Sequence, residues 1–168
     1  DGSDQTQAVR DAVASLDSGS RLYFPKGTYG LTVNSEQTIE IVDNNVTVVA
    51  EGATFDLLDS DSFIEFIFTL SGENIDWIGG EIDGEVSGTN KLSGIAVQGD
   101  RCTVKRLSAS NLYNYGVRTY GDYSEVKKTV VDNISNNDGI RVAGKSPVVD
   151  NCHTRNTNRW GFTLAATD

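Results

Sequence analysis

A glycine-led segment recurs four times in the second half of the chain, at intervals of 22, 23 and 22 residues. The glycines are Gly94, Gly116, Gly139 and Gly161, and after each one apolar residues occupy every second position. A fixed period of this length is typical of solenoids, in which each repeat is too small to bury its apolar face alone and stacks on its neighbours. Because the repeats are strand-like and carry no helical periodicity, they predict a β-helix with coils of about 22–23 residues.

Other columns repeat with the same period. Val104, Val126 and Val148 recur every 22 residues, and Cys152 falls in an apolar column that predicts burial. Cys102 belongs to a different column two coils away, roughly 10 Å along the axis at about 4.8 Å per coil. That separation is too large for a disulfide. The two cysteines are therefore predicted to be buried free thiols.

The one helical pattern lies at the start of the chain, within residues 1–20. Asp4 or Ser3 can cap it, and its apolar positions form one stripe made of Ala8, Val9, Ala12, Val13 and Leu16. A short helix here would cover the open end of the first coil, with residues 21–168 forming the coils of a single β-helix domain over 1–168. The chain begins without methionine and ends just after a repeat starts, so we expect it to be a piece of a longer protein.

The charge balance excludes one class of partner. The chain has 24 acidic and 14 basic residues and a net charge of -10. Nucleic acid selects for clustered Lys and Arg, so we expect no nucleic-acid binding. No run of 18 apolar residues is present, and we expect no membrane span.

The segment Tyr-Phe-Pro-Lys-Gly-Thr-Tyr at 23–29 follows Asp1-Gly2 and the amphipathic helix. This opening resembles that of the pectate-lyase-like proteins, which include pectin-degrading enzymes, alginate epimerases and viral tailspikes. The resemblance implies an all-β solenoid, a right-handed single-stranded parallel β-helix with an N-terminal capping helix. It also implies an extracellular protein (secreted, on the cell surface or in a virion) whose partner is a polysaccharide or cell-surface glycan. The resemblance to tailspikes in particular also implies that the protein forms a homotrimer.

Strand alternation predicts which side chains of the repeats face outward. If Val117 and Ile140 point into the coil, then Arg118 and Arg141 are neighbours on one outward sheet, with Tyr120 beside them. Paired guanidinium groups bind carboxylates and aromatic rings stack on sugars. The pattern therefore favours a site for acidic sugars, although the arginines could instead pair with surface acids such as Asp138.

The position before each glycine adds to this surface. It holds Ser93, Tyr115, Asp138 and Trp160, which we expect at the solvent-facing margin of the same sheet. The predicted carbohydrate-binding residues are thus Tyr115, Arg118, Tyr120, Arg141 and Trp160.

The last coils also resemble the catalytic repeats of mannuronan C-5-epimerases, whose active coil reads Tyr-Gly-x-Asp-Pro-His. Tyr115 and Gly116 match the first two positions, while Arg118, Thr119 and Tyr120 replace the Asp, Pro and His. The resemblance implies Tyr115 as a candidate acid or base. Asp138 is a second catalytic candidate, because epimerisation and β-elimination need both an acid and a base. With two of the family's residues replaced, whether the chain is an enzyme stays open.

Other chemistry has weaker support. Glycoside hydrolysis needs two carboxylates at one site, and Glu81 and Asp83 cannot be placed beside Asp138 from the sequence. The sole histidine, His153, lies on a different segment from the arginines. An acidic loop could attract calcium, but it lacks EF-hand spacing and no cofactor is predicted; its members are Asp56, Asp59 and Asp61.

Three functions remain open. The first is an extracellular enzyme acting on uronate-containing polysaccharide as a lyase, hydrolase or epimerase. The second is a glycan-binding tailspike or adhesin without turnover, and the third is a structural fibre segment.

Overall fold

The computed structural model describes residues 3–33, 38–60, 66–84 and 92–166, which form one helix and eighteen strands. The helix α1 spans Thr6–Ala14. The strands, in chain order, are β1 (Arg21–Tyr23), β2 (Gly27–Val33), β3 (Ile39–Ile41), β4 (Thr47–Val49), β5 (Ala53–Ser60), β6 (Phe66–Leu70), β7 (Asp76–Ile78), β8 (Glu81–Asp83), β9 (Ser93–Val97), β10 (Thr103–Lys105), β11 (Ser108–Leu112), β12 (Val117–Thr119), β13 (Glu125–Lys127), β14 (Val130–Ile134), β15 (Ile140–Gly144), β16 (Val148–Asp150), β17 (His153–Thr157) and β18 (Phe162–Ala166).

Every third strand joins the same sheet, which makes a coil of three strands. Sheet A has the order β17-β14-β11-β8-β5-β2, sheet B the order β1-β4-β7-β10-β13-β16, and sheet C the order β18-β15-β12-β9-β6-β3. All three sheets are parallel, and in sheet C, for example, Val117 pairs with Ile95 on one side and with Ile140 on the other. The predicted parallel β-helix with a short N-terminal helix is confirmed.

The glycine-led repeat lies at the start of the sheet C strands. Val117 pairs with Ile140, and Arg118 pairs with Arg141 on the next coil, as the period predicts. The prediction for one column is wrong by one residue. Val126 pairs with Val149 instead of Val148, and Val148 lies on the outer surface. The cause is one extra residue in the corner between β14 and β15, which also makes the interval from Gly116 to Gly139 23 residues, so a fixed 22-residue count misplaces the column after it.

The interior is apolar and is richest in aromatic side chains in the early coils. Phe55 and Phe68 pack edge to face, with ring centroids 5.0 Å apart, and Phe68 contacts Trp77 at 4.8 Å. In the last coil the inward side chains Phe162 and Leu164 are exposed, because no described strand stacks on β18. Cys102 is buried and Cys152 is partly buried, both as free thiols, and burial raises the pKa of each.

The helix differs slightly from the sequence expectation. Its N-cap residue is Gln5, without a side-chain cap, instead of Asp4 or Ser3. Asp4 directly precedes the N-cap residue, and its carboxylate accepts hydrogen bonds from the Thr6 amide at 2.9 Å and the Thr6 hydroxyl at 2.6 Å. Val9 and Val13 are buried as the stripe predicts. At nine residues, this helix is too short to cross a membrane, and the described residues contain no other.

Candidate functional site

The outward surface of sheet C is identified by its glycines. A Cβ atom on Gly116 would come under 3.0 Å from the buried Val131 side chain, and one on Gly139 under 3.0 Å from Thr154. These glycines therefore face into the corner of the coil. The residue before the glycine lies on the outer side of sheet C at Tyr115, whose ring contacts the Arg118 guanidinium, and at Trp160, which is exposed.

Arg118 lies between two tyrosine rings on this surface. Its guanidinium carbon is 5.0 Å from the ring centroid of Tyr115 and 4.3 Å from that of Tyr120. Cation–π contact of this kind restrains a long side chain and orients its charge. The predicted neighbourhood of Arg118, Arg141 and Tyr120 is therefore present.

Arg141 stands next to Arg118 on the following coil, with their Cα atoms paired in register. It makes no hydrogen bond, ion pair or ring contact with the residues that the structure describes. The expected alternative, pairing of Arg141 with surface acids, is therefore absent from this part of the chain. Two like charges at adjacent positions in a sheet repel each other, so the pair is set up to receive an anion.

Tyr115 differs from expectation, because it is only 5% exposed instead of lying open at the margin. Its ring stacks on Phe66 with centroids 6.3 Å apart and 15° between the planes, and together they cover Ala96. Its hydroxyl oxygen accepts a hydrogen bond from Asn137 Nδ2 at 2.8 Å, and Asn137 Oδ1 accepts one from Arg159 at 3.3 Å. The ring face cannot serve as an open sugar platform, but the hydroxyl is held in a fixed position.

Phe66 was not found from the sequence. It occupies the same position as Ser93, with which it pairs, although the two are 27 residues apart. Aligning Phe66-Ile67-Phe68 with Ser93-Gly94-Ile95 would have revealed it. The lengthened coil, whose residues 85–91 lie outside the described part of the chain, hides this alignment from a search at period 22.

Asp138 also differs from expectation, because it is buried. It was predicted as an outward, solvent-facing carboxylate, yet it is 0% exposed. Neither of its oxygens has a hydrogen-bond partner among the described residues. Ser93, which holds the equivalent position two coils earlier, is likewise fully buried, and its hydroxyl has no partner in the described ranges. The sequence pattern does not show whether neighbouring side chains cover these positions.

Trp160 is the one member of the column before the glycines that is open to solvent, at 59% exposure, among those that the structure describes. It lies one coil beyond Asp138, since the Gly139 amide donates to the Trp160 carbonyl at 2.9 Å. Trp160 belongs to the same coil as the exposed Phe162 and Leu164, on which no described strand stacks, and it provides an aromatic face one coil beyond Asp138.

The remaining candidate residues lie on sheet A. Glu81 and Asp83 belong to β8, and His153 is at the start of β17. They are on a different face from Asp138, so no hydrolytic carboxylate pair forms with it. Arg155 forms an ion pair with Asp132, with 2.9 Å between the guanidinium Nη2 and the carboxylate Oδ2.

No metal centre is present in the described ranges, where no three His, Cys, Asp or Glu residues converge. Of the acidic loop expected from the sequence, Asp61 and the side chain of Asp59 lie outside the described residues. Asp56 instead pairs in register with Asp83 on the next coil. The pKa of Asp56 is raised by burial and, secondly, by repulsion from Asp83.

This raised pKa predicts a pH-dependent effect of Asp56→Asn on stability. The folded chain binds a proton at Asp56 more readily than the unfolded chain, so the stability linked to that proton is present below about pH 4 and is lost at higher pH. Removing the like-charge pair at pH 7 should raise the free energy of unfolding by about 0.2–1 kcal/mol, with the gain shrinking in acid. Urea unfolding at pH 7 and pH 4 measures this. The exposed Asp17→Asn is the control, and equal gains in both variants would refute the explanation.

No protein-family model matches the chain, and no curated protein matches it. Three solved structures are similar in fold. One is described as a "putative glycosyl hydrolase" from Parabacteroides merdae, with 15% identity, 98% of this chain and 91% of that chain covered, and a TM-score of 0.69. Pectate lyase Pel9A matches with 18% identity, 84% and 40% coverage and a TM-score of 0.66. ORF18 of Geobacillus virus E2 matches with 15% identity, 96% and 47% coverage and a TM-score of 0.57.

These likenesses show the fold alone, which is a parallel β-helix. The chain spans less than half the length of the lyase and of the viral protein. At this level of identity, activities do not transfer from the similar proteins.

Proposed function

We propose that the chain binds acidic, uronate-containing glycans on the outward surface of sheet C. The observation that carries the proposal is the arginine pair: Arg118 is held between two tyrosine rings, and Arg141 stands beside it without a partner among the described residues. Guanidinium groups bind carboxylates through two parallel hydrogen bonds, and the exposed indole of Trp160 suits a pyranose ring. A polymer of uronic acids offers both a ring and a carboxylate in each unit.

The overall charge does not oppose this proposal. A net charge of -10 repels polyanions at long range, but this repulsion is screened beyond about 8 Å at physiological ionic strength. The contact region is set by local charge, and there the two arginines face the ligand. The similar proteins are compatible with glycan ligands, since one is a pectate lyase and one is described as a glycosyl hydrolase.

Turnover is a second candidate, favoured by the fixed hydroxyl of Tyr115. The bond from Asn137 occupies one lone pair of that oxygen, and its proton remains available to a ligand on the surface. Tyr115 and Asp138 would then be the proton-transfer residues, with Arg118 and Arg141 neutralising the carboxylate next to the carbon that loses a proton. In β-elimination that proton goes to the base, and the glycosidic oxygen leaves with a proton from the acid.

A non-catalytic adhesin or tailspike would use the same surface without turnover. The likeness to a viral protein is compatible with this alternative. An extracellular or virion location and a homotrimer are parts of this proposal.

The test is binding of the purified chain to polygalacturonate, polymannuronate and polyguluronate, each compared with its carboxyl-reduced form. We expect at least one polyuronate to bind, and its reduced form to bind at least about tenfold more weakly, because a charge-assisted hydrogen bond is lost. Equal binding to both forms, or no binding to any polyuronate, would contradict the proposal. Proton NMR of the incubated polymers separates the alternatives, since elimination yields an unsaturated terminal sugar, epimerisation inverts C5, and an adhesin changes nothing.

A further inference from the structure

The Asp138 carboxylate occupies an unfavourable position, because it is buried and the described residues give it no hydrogen bond. The side chain is 0% exposed, and both carboxylate oxygens lack hydrogen-bond partners among the described residues. A buried carboxylate without donors loses its hydration and receives nothing in return. An unpaired buried polar group needs an explanation, and a hydrogen-bond donor from a ligand would provide one where the described residues supply none.

The position of Asp138 indicates where that donor would come from. Asp138 occupies the same column as Tyr115 and Trp160, since the Gly116 amide donates to the Gly139 carbonyl and the Gly139 amide donates to the Trp160 carbonyl. That column borders the outer surface of sheet C, where the Tyr115 ring contacts Arg118 and Trp160 is exposed. Arg141 follows three residues later, on β15, in register with Thr163, whose buried hydroxyl also has no partner among the described residues. Unsatisfied polar atoms thus lie near Arg141, for which the described part of the chain supplies no counter-ion.

We infer that Asp138 accepts hydrogen bonds from the hydroxyl groups of the sugar whose carboxylate is bound by Arg141, and so makes the site selective for uronates with free hydroxyls. This inference rests on the proposed function. A carboxylate only accepts hydrogen bonds, so it repels the ligand's own carboxylate and requires O–H donors, which lie beside the carboxylate on every uronic acid ring. A buried group that binds a hydroxyl discriminates strongly against an analogue in which that hydroxyl is missing or esterified.

Solvent does not reach Asp138 in the unliganded chain, so contact with a sugar requires a neighbouring side chain to move. Trp160 holds the same column position as Asp138 on the next coil, and its side chain is mostly exposed and can change rotamer. The backbone of sheet C can stay in place.

The chain provides its own template for removing this carboxylate. Ser93 occupies the same column and is also fully buried. Its neighbours in the column are Phe66 and Tyr115, whereas those of Asp138 are Tyr115 and Trp160. Asp138→Ser therefore installs a side chain that this fold already accepts. If Asp138 serves the ligand and not the fold, the variant should be as stable as the parent or more so.

The experiment compares parent and Asp138→Ser with oligouronates of one backbone, either with free hydroxyls or O-acetylated. The parent should bind the free form at least about tenfold more tightly than the acetylated form, and Asp138→Ser should bring that ratio close to one with an unchanged or higher melting temperature. Equal affinity of the parent for both forms, or an unchanged ratio in Asp138→Ser, would overturn the inference while leaving the proposed function in place. A failure of the parent to bind either form overturns both.

Discussion

Replacing Gly99 by alanine should lower the free energy of unfolding by about 3 kcal/mol, because the added methyl group has no space. A Cβ atom at Gly99 would lie under 3.0 Å from the carbonyl oxygen of Gly72 on the preceding coil, and backbone atoms cannot turn aside as a side-chain end can. Gly121 stands in the same relation to Gly99 one coil later. This stack of glycines brings the corner between sheets C and B close enough for coils to pair.

Urea or thermal unfolding measures the effect, and a loss of this size should lower the melting temperature by about 6–12 °C. The matched control is Gln98→Ala at the preceding position, where the side chain is exposed and the change should stay within about 0.5 kcal/mol. If Gly99→Ala were as mild as Gln98→Ala, close stacking at this corner would not limit the fold.

The glycine period was sufficient to predict the coils, the sheet C strands and the direction of their side chains. Those features follow from strand alternation and from the constant distance between coils, which are backbone properties. The pairing of Arg118 with Arg141 and the approach of Tyr120 to Arg118 are confirmed for that reason.

Burial at the column before the glycines could not be predicted in the same way. Tyr115 and Asp138 were expected at the solvent-facing margin of sheet C, yet both are covered. Tyr115 is covered in part by Phe66, which comes from a coil on the far side of Ser93. Such contacts join two coils that are not adjacent, and they depend on the sizes of the side chains between them. The repeat period and strand alternation therefore do not predict them. The same limit explains why the unpartnered state of Asp138 appears only in three dimensions.

Removing both arginines should weaken binding of an acidic glycan at least about 100-fold. Each charge-assisted hydrogen bond contributes about 1.5–3 kcal/mol, and Arg118→Ala with Arg141→Ala removes at least two of them. Tyr115 and Tyr120 remain in the variant, so the aromatic surroundings of the site are kept. The variant should still fold, because both arginines are on the outer surface and contribute no interior packing.

Sheet B provides a control with the same loss of charge. Lys105 and Lys127 are paired in register on adjacent coils, as the arginines are, but they form ion pairs with Asp76 and Glu125. Lys105→Ala with Lys127→Ala therefore lowers the net charge equally on a face that has no proposed ligand. Any loss of affinity caused by overall charge alone would appear in both double variants.

Isothermal titration calorimetry of the parent and the two double variants, with the polyuronate that the parent binds most tightly, tests the central claim most directly. We expect at least about 100-fold weaker binding for Arg118→Ala/Arg141→Ala and a change in affinity of less than about threefold for Lys105→Ala/Lys127→Ala. Equal losses in the two variants, or undiminished binding without the arginines, would contradict the assignment of the glycan site to sheet C.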